Sequence, residues 1–223
     1  MRTGIYFMLA IQLLLGVTAS AQTLNWGSMK KEHKHIITAN IAFQNGMQYG
    51  AGYGYKINQK LFPVILQADY ANLSGNNLSD DFKARVGGTI RWIKYEHFQF
   101  STGLYGVFRR HDNELVQLSN FGSDMNGVIG YYRKKWFVAG EAGFDKAIVT
   151  HFKHSDAYKA QYPGVVNGWY EPSTGGNFYY GVQAGFSFRQ FDTWVKAGKT
   201  IEQDFKTKPM VPMYGQLGLN LKF

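Results

Sequence analysis

Met47-Gln-Tyr-Gly-Ala-Gly-Tyr-Gly-Tyr-Lys-Ile57 puts Met47, Tyr49, Ala51, Tyr53, Tyr55 and Ile57 on one side of a period-two alternation and Gln48, Gly50, Gly52, Gly54 and Lys56 on the other. Successive side chains of an extended strand point to opposite faces, so this stretch reads as a strand with one apolar, aromatic face and one small or polar face. The alternation returns at Phe82–Trp92, where Phe82, Ala84, Val86, Gly88, Ile90 and Trp92 oppose Lys83, Arg85, Gly87, Thr89 and Arg91. It continues after a turn with Phe98, Phe100, Thr102, Leu104 and Phe108, and returns once more with Phe178, Tyr180, Val182, Ala184, Phe186 and Phe188. No amphipathic helix of useful length competes.

Counted along the chain, strands are predicted at Ile36–Gln44, Met47–Ile57, Pro63–Leu73, Asp81–Lys94, His97–Arg110, Gly122–Tyr132, Trp136–Val149, Asn177–Gln190, Asp192–Phe205 and Val211–Phe223. That is about ten, with eight as the fallback if the first or last pair is miscounted. Short connections (Lys56–Phe62, Lys94–His97, Arg133–Lys135, Gln190–Asp192) alternate with longer ones (Leu73–Asp81, His111–Phe121, Thr150–Gly176, Gln203–Met210). Asn45-Gly46 is the exception, a tight hairpin signal on the long-loop side. Strands long enough to cross a bilayer at a tilt, with short turns on one rim and long loops on the other, predict an all-β, up-and-down transmembrane β-barrel. Such a barrel must close, because a sheet edge facing hydrocarbon leaves backbone groups unpaired at several kcal/mol each.

Composition agrees. Aromatics make up 17% of the 223 residues and charged residues only 17%, with 26 glycines. This excludes disordered, collagen-like and coiled-coil chains. The absence of cysteine removes disulfide scaffolds, thiolate nucleophiles and Cys-ligated metal sites. Arg2, the apolar run Ile5–Val17 and Ala19-Ser20-Ala21 have the form of a cleaved secretory signal, placing the mature start at Gln22. The domain reading is then residues 1–21 signal peptide, 22–35 periplasmic N-terminal segment and 36–223 barrel, with a long extracellular loop at 150–176.

The last strand sets Gly215, Leu217, Leu219, Leu221 and Phe223 against Tyr214, Gln216, Gly218, Asn220 and Lys222, and ends on an aromatic. With the export signal and the alternating strands, it resembles small Gram-negative outer-membrane β-barrel proteins. The Ala-Gln junction and the Tyr/Asn/Gly-rich strands are similar to those of the Bacteroidota. The resemblance implies location in the outer membrane and recognition of Gly215, Leu217, Leu219, Leu221 and Phe223 by the barrel assembly machinery. A soluble barrel with the aromatics turned inward is the competing architecture. Aromatics clustered toward segment ends (Tyr53, Tyr55, Trp92, Phe98, Trp136, Phe178, Tyr180) favour membrane girdles instead.

The small and polar face then lines the lumen. It brings in Lys83, Arg85, Arg91, Arg109, Arg189 and Lys196 against Asp69, Glu141, Asp145 and Glu202. Ions in so narrow a space must be paired or hydrated, which predicts a plugged, charged lumen. The alternative is a narrow pore for small solutes or ions with a slight anion lean. A second alternative, a lipid-modifying or proteolytic outer-membrane enzyme, would use His111-Asp112 with Glu114, or His151, His154, Ser155 and Asp156. Omptin-type proteases resemble the chain in strand number, but their paired Asp and Asp-His motifs are not located here, and no catalytic residue is assigned. His33-x-His35 and His151-x-x-His154 lack a third ligand, so no metal or cofactor is assigned.

The formal charge of +9 has an outlet in Lys30, Lys31, His33 and Lys34 at one rim, and in the loop residues Lys153, Lys159, Lys206 and Lys208. Loop cations suit the phosphates of lipopolysaccharide. Dispersed cations on an exported chain do not suit nucleic acid. In the longest connection Tyr158, Tyr162, Trp169 and Tyr170 are too many aromatics for a solvated loop. They predict either a lid on the barrel mouth or contact with a membrane-complex partner.

Overall fold

The computed structural model describes residues 23–44, 46–57, 62–73, 80–171, 175–206, 209 and 211–223. The signal-peptide reading and Asn45 of the tight turn lie outside them. In chain order the elements are β1 (His35–Phe43), β2 (Met47–Ile57), β3 (Val64–Leu73), β4 (Phe82–Tyr95), β5 (Phe98–Asp112), β6 (Val116–Tyr132) and β7 (Trp136–His154). They continue with helix α1 (Asp156–Gln161), β8 (Gly168–Tyr170), β9 (Gly176–Phe188), β10 (Phe191–Glu202) and β11 (Met213–Lys222).

Each strand from β1 to β7 pairs antiparallel with the next, β7 pairs with β9, and β9 leads through β10 to β11. β11 returns to β1 in register from Ile36↔Lys222 to Phe43↔Gly215, closing a ten-stranded barrel. β8 lies outside the ring, paired with β7 at Thr150–Phe152. The strand just past the barrel's own count is therefore a rim feature.

Two strands outrun their predicted limits. β6 begins at Val116 instead of Gly122, and β7 ends at His154 instead of Val149. The cause is a bulge: Phe121 pairs with Val149 but Gly122 pairs with Ala147, so Ile148 is an extra residue in β7. An inserted residue breaks the alternation without ending the ladder, and the pairing continues past it. Beyond the bulge the inward residues of β7 are Thr150 and Phe152.

The aromatic and aliphatic face is outside. Leu104 is 64% exposed and Val182 63%, and Val86, Met125 and Ile129 resemble them. A belt of this size is alien to a water-soluble surface and suited to hydrocarbon, which rules out the inside-out soluble barrel. Two aromatic girdles bound it. Toward the long loops, rings follow one another from Tyr70 to Phe82, Phe108, Phe121 and Trp169, with centroids 4.9–6.1 Å apart. Toward the short turns lie Phe62 on Trp92, Phe98 and Trp136 on Tyr131, and His35 on Phe223. Along β5 the girdles are marked by Phe98 and Phe108, roughly 25 Å apart along the barrel axis for a tilted strand, the height of a bilayer's apolar band.

Candidate functional site

Charged side chains of the wall project into the half of the lumen nearer the long loops and pair there. Arg85 of β4 bridges two carboxylates, with Nη2 donating to Asp69 Oδ2 at 2.6 Å and Nη1 to Asp124 Oδ2 at 3.2 Å. Asp145 of β7 takes Lys83 at 3.2 Å on one oxygen and Arg109 on the other. Lys196 lies 2.8 Å from Glu141, whose other oxygen accepts the Tyr214 hydroxyl at 2.6 Å. Tyr179 donates to Asp124 at 2.9 Å. A fourth cluster, Lys222 with Asp192 at 2.6 Å, sits at the short-turn end. Among the described residues five cations thus meet five carboxylates, and these clusters are neutral by pairing. Low dielectric strengthens each pair and makes an unpaired member costly.

Glycines let the large interior rings lie flat against neighbouring strands. A Cβ on Gly218 would fall on the Trp194 ring, one on Gly143 on Tyr179, and one on Gly185 on Phe137 and the Thr193 carbonyl. The small members of the polar face are there to be covered by rings.

The segment that precedes β1 lies inside the ring in the half nearer the short turns. Thr23, Leu24, Asn25 and Trp26 are all buried, and Leu24 and Trp26 join Ile36, Ile65, Tyr132, Phe137, Ala139 and Trp194 in one apolar cluster. Polar groups of the wall hold the backbone: Asn220 Nδ2 donates to the Thr23 carbonyl at 2.7 Å, and Lys222 Nζ to Ser28 Oγ at 2.5 Å. Asn25 donates through Nδ2 to Ser187 Oγ at 2.7 Å and to the Arg133 carbonyl at 3.0 Å. Its Oδ1 accepts from Gly27 N, which tightens the turn. Between this segment and Thr89, Ser101, Asn126 and Gln183 remains a void of about 30 Å³, room for one water.

Seven of the ten residues assigned to the lumen, Asp69, Lys83, Arg85, Arg109, Glu141, Asp145 and Lys196, come together in these clusters. Arg91 lies at the short-turn mouth, donating to Gln99 at 3.0 Å with its guanidinium over Trp26. Glu202 is at the long-loop end of β10, opposite Asn177. Arg189 is not in the lumen. β9 ends at Phe188, and Arg189 is an exposed turn residue at φ 54° whose guanidinium lies over the Phe188 ring. The predicted surplus of two lumen cations disappears with it and with the arrival of Asp124, Asp192 and Lys222. Those three, and the whole Thr23–Ser28 segment, were missed. The one signal for the segment was Leu24 and Trp26 in a stretch otherwise read as solvated.

Gly215, Leu217, Leu219, Leu221 and Phe223 do share the outer face of β11, with Phe223 stacked on His35. His111 pairs through Nδ1 with Asp81, while Asp112 accepts from Arg110 and Gln117. His151 packs on Trp169, and His154 stacks on Tyr158 and meets Asn167. Ser155 is occupied as the N-cap of α1, accepting from Tyr158 N. His33 is buried before β1 whereas His35 lies in the girdle, so the two do not share a face. Among the described residues no three metal-ligating side chains cluster.

The long connection is partly ordered into the β7 extension, α1 and β8. Tyr158 and Tyr162 pack on each other at 5.0 Å, Tyr170 stands edge-on to Phe152 at 5.2 Å, and Trp169 bridges Phe121 and His151 while staying 59% exposed. Trp169 with His151 lies on the outer face of the β6–β7 extension, whereas Tyr170 packs on the inward Phe152.

No family model and no curated protein matches the chain. Among solved structures the KdgM porin aligns over 84% of this chain and 99% of its own, at 10% identity and a TM-score of 0.42. The NanC porin aligns over 85% of this chain and 100% of its own, at 6% identity and a TM-score of 0.41. The closed antiparallel barrel, its apolar girdled exterior and its polar interior are, on their own terms, the architecture of a small outer-membrane β-barrel protein.

Proposed function

We propose that the protein is a non-enzymatic integral outer-membrane barrel that rests closed, its lumen filled by the ion-pair clusters and by Thr23–Ser28, and that it works through its loops. What supports this reading is the burial of Arg85, Asp124, Lys196 and Thr23–Trp26 inside the ring, with a void of about 30 Å³ between segment and wall. The β6–β7 extension, with exposed Trp169, Val166 and Leu115 and with Lys153 beside them, supplies an amphipathic surface for lipopolysaccharide or a membrane-complex partner.

A gated pore is the second reading, favoured by one feature: the segment in the lower half precedes β1 and is not part of the wall. Single-channel recording in planar bilayers, after a heat-shift gel has confirmed folding, separates the two. The intact chain is expected to be electrically silent, and stable current steps from it would sink the closed reading. A variant lacking residues 23–29 reports on the gate. Steps in that variant alone make the segment a gate, while silence means that the upper clusters suffice to close the barrel.

A further inference from the structure

The short-turn mouth carries positive charge that the interior does not. Outside the segment and beside the turns opens a cavity of about 800 Å³ lined by Lys30, Lys31, Lys56, Arg91, Lys94 and Lys134, with Glu96 as its only carboxylate among the described residues. Trp26, Met29 and Tyr132 add an apolar part to the lining. Inside the lumen every cation of the clusters has its carboxylate within hydrogen-bonding reach. In the mouth, none of Lys56, Arg91, Lys94 or Lys134 has one within ion-pair distance among the described residues.

Two of these cations are built in and are not rim lysines that solvent would neutralise. Lys56 is 6% exposed and donates to the Lys30 carbonyl. Arg91 is fixed by Gln99 on one side and by the Trp26 ring on the other, its guanidinium 5.2 Å from the ring centre. Gathering like charges in a concave, partly desolvated space costs free energy, which an entering anion recovers. An arginine fork held in one orientation also matches the paired oxygens of a phosphate or carboxylate.

We propose that this vestibule binds a small multivalent anion, of the diphosphate or polycarboxylate class, which bridges Lys30 and Lys31 of the N-terminal segment to Lys56, Arg91, Lys94 and Lys134 of the wall. Binding tightens the segment, because Lys30 and Lys31, two of the six cations of the site, belong to it. For that effect alone the inference rests on Thr23–Ser28 being the closure.

Isothermal titration of pyrophosphate, and separately of citrate, into the folded protein in a neutral detergent tests the proposal. Saturable one-to-one binding that weakens with added salt is expected for at least one probe. Arg91→Gln and Lys56→Gln should each weaken it about tenfold, the loss of one charge-assisted contact. Lys135→Gln, in the same turn region but outside the cavity lining, should leave it unchanged. Should the buried Lys56→Gln fail the heat-shift gel, Lys94→Gln/Lys134→Gln replaces only exposed residues and carries the same expectation. Heats that never saturate, or an equal loss in Lys135→Gln, would mean diffuse attraction to a basic rim and overturn the site. Bound pyrophosphate should also slow tryptic cleavage after Lys30 and Lys31, and unchanged cleavage would overturn the bridge. Binding by a chain that conducts leaves the site standing while the closed-barrel reading falls. A silent chain that binds neither probe has the opposite meaning.

Discussion

The two halves of the lumen are filled by different means. Toward the long loops, Arg85, Lys83, Arg109 and Lys196 and their carboxylates project from β3, β4, β5, β6, β7 and β10 and are part of the ladder that makes the barrel. Toward the short turns lies a strandless segment, Thr23–Ser28, tied to the wall by five side-chain hydrogen bonds. Burying Leu24 and Trp26 contributes roughly 3–6 kcal/mol, and the five bonds about 1 kcal/mol each. Ordering six residues costs roughly 6–12 kcal/mol. The terms cancel to within a few kcal/mol. The upper side chains belong to the wall itself, whereas the lower segment is held near balance, so it is expected to undock with the ring of strands intact.

The sharpest way to break this comparison is to damage one member of each half. Arg85→Met leaves Asp69 and Asp124 buried without their shared cation. Stripping one partner from a buried pair costs about 3–5 kcal/mol, so urea unfolding of the barrel in lipid vesicles should shift by that much. Trp26→Ala removes the largest anchor of the segment. Because the segment undocks first, the urea midpoint of the barrel is expected to move by less than about 1 kcal/mol while tryptic cleavage after Lys30 quickens. Equal losses in the two variants would mean that the segment and the wall fold as one unit.

How much of this was readable in the sequence follows from the same division. A charge on the small face of an alternating strand can only point inward, so Lys83, Arg85, Arg109 and their carboxylates were legible before any coordinates. Parity failed where the strand stopped or stuttered. Arg189 kept the inward phase of β9 but fell in a left-handed turn position, and the extra residue at Ile148 hid the last residues of β7. Asp192 opens its predicted strand and Lys222 lies on the polar face one residue from the end of the last, and neither was assigned to the lumen. The segment has no periodicity of its own, since its place is dictated by Asn220, Lys222 and Ser187, residues 159 or more positions away in sequence on other strands. Tertiary docking of this kind leaves no local pattern to read.

Glycine substitutions sharpen the contrast between the covered interior and the open exterior. Gly218→Ala puts a methyl group on the Trp194 ring, which is held in place by its Nε1–H donating to Asn220 Oδ1 at 3.2 Å. Overpacking of this sort costs about 1–3 kcal/mol. Gly127→Ala faces outward, where the nearest atom is a Phe100 ring carbon at 3.6 Å. That is an ordinary contact, and the change should stay within about 0.5 kcal/mol. Thermal melts read by the heat-shift gel compare the pair, and a melt lowered equally by both would refute the covering role assigned to the interior rings.

The smallest effect is a pH dependence confined to the lower half. His33 is buried beside the segment, with Nδ1 accepting from Lys30 N at 3.4 Å. Burial, and after it the nearby Lys222, push its pKa below the ordinary histidine value; Glu32 pulls it up, and Lys30 and Lys56 add smaller downward pushes. A histidine whose folded pKa is depressed is neutral in both states above its ordinary value near 6.5, and contributes no pH dependence there. As pH falls through that value the undocked form takes up a proton that the docked form resists, so docking weakens with acidity until the folded pKa is passed. Tryptic cleavage after Lys30 and Lys31, normalised to a model peptide, should therefore quicken between about pH 7.5 and pH 5.5, and His33→Gln should flatten that rise. The barrel's own urea midpoint should not follow it, because the upper clusters do not touch His33. A wild-type segment whose cleavage ignores pH would place His33 outside the docking equilibrium. A barrel midpoint that tracked the segment would join the two halves into a single cooperative unit.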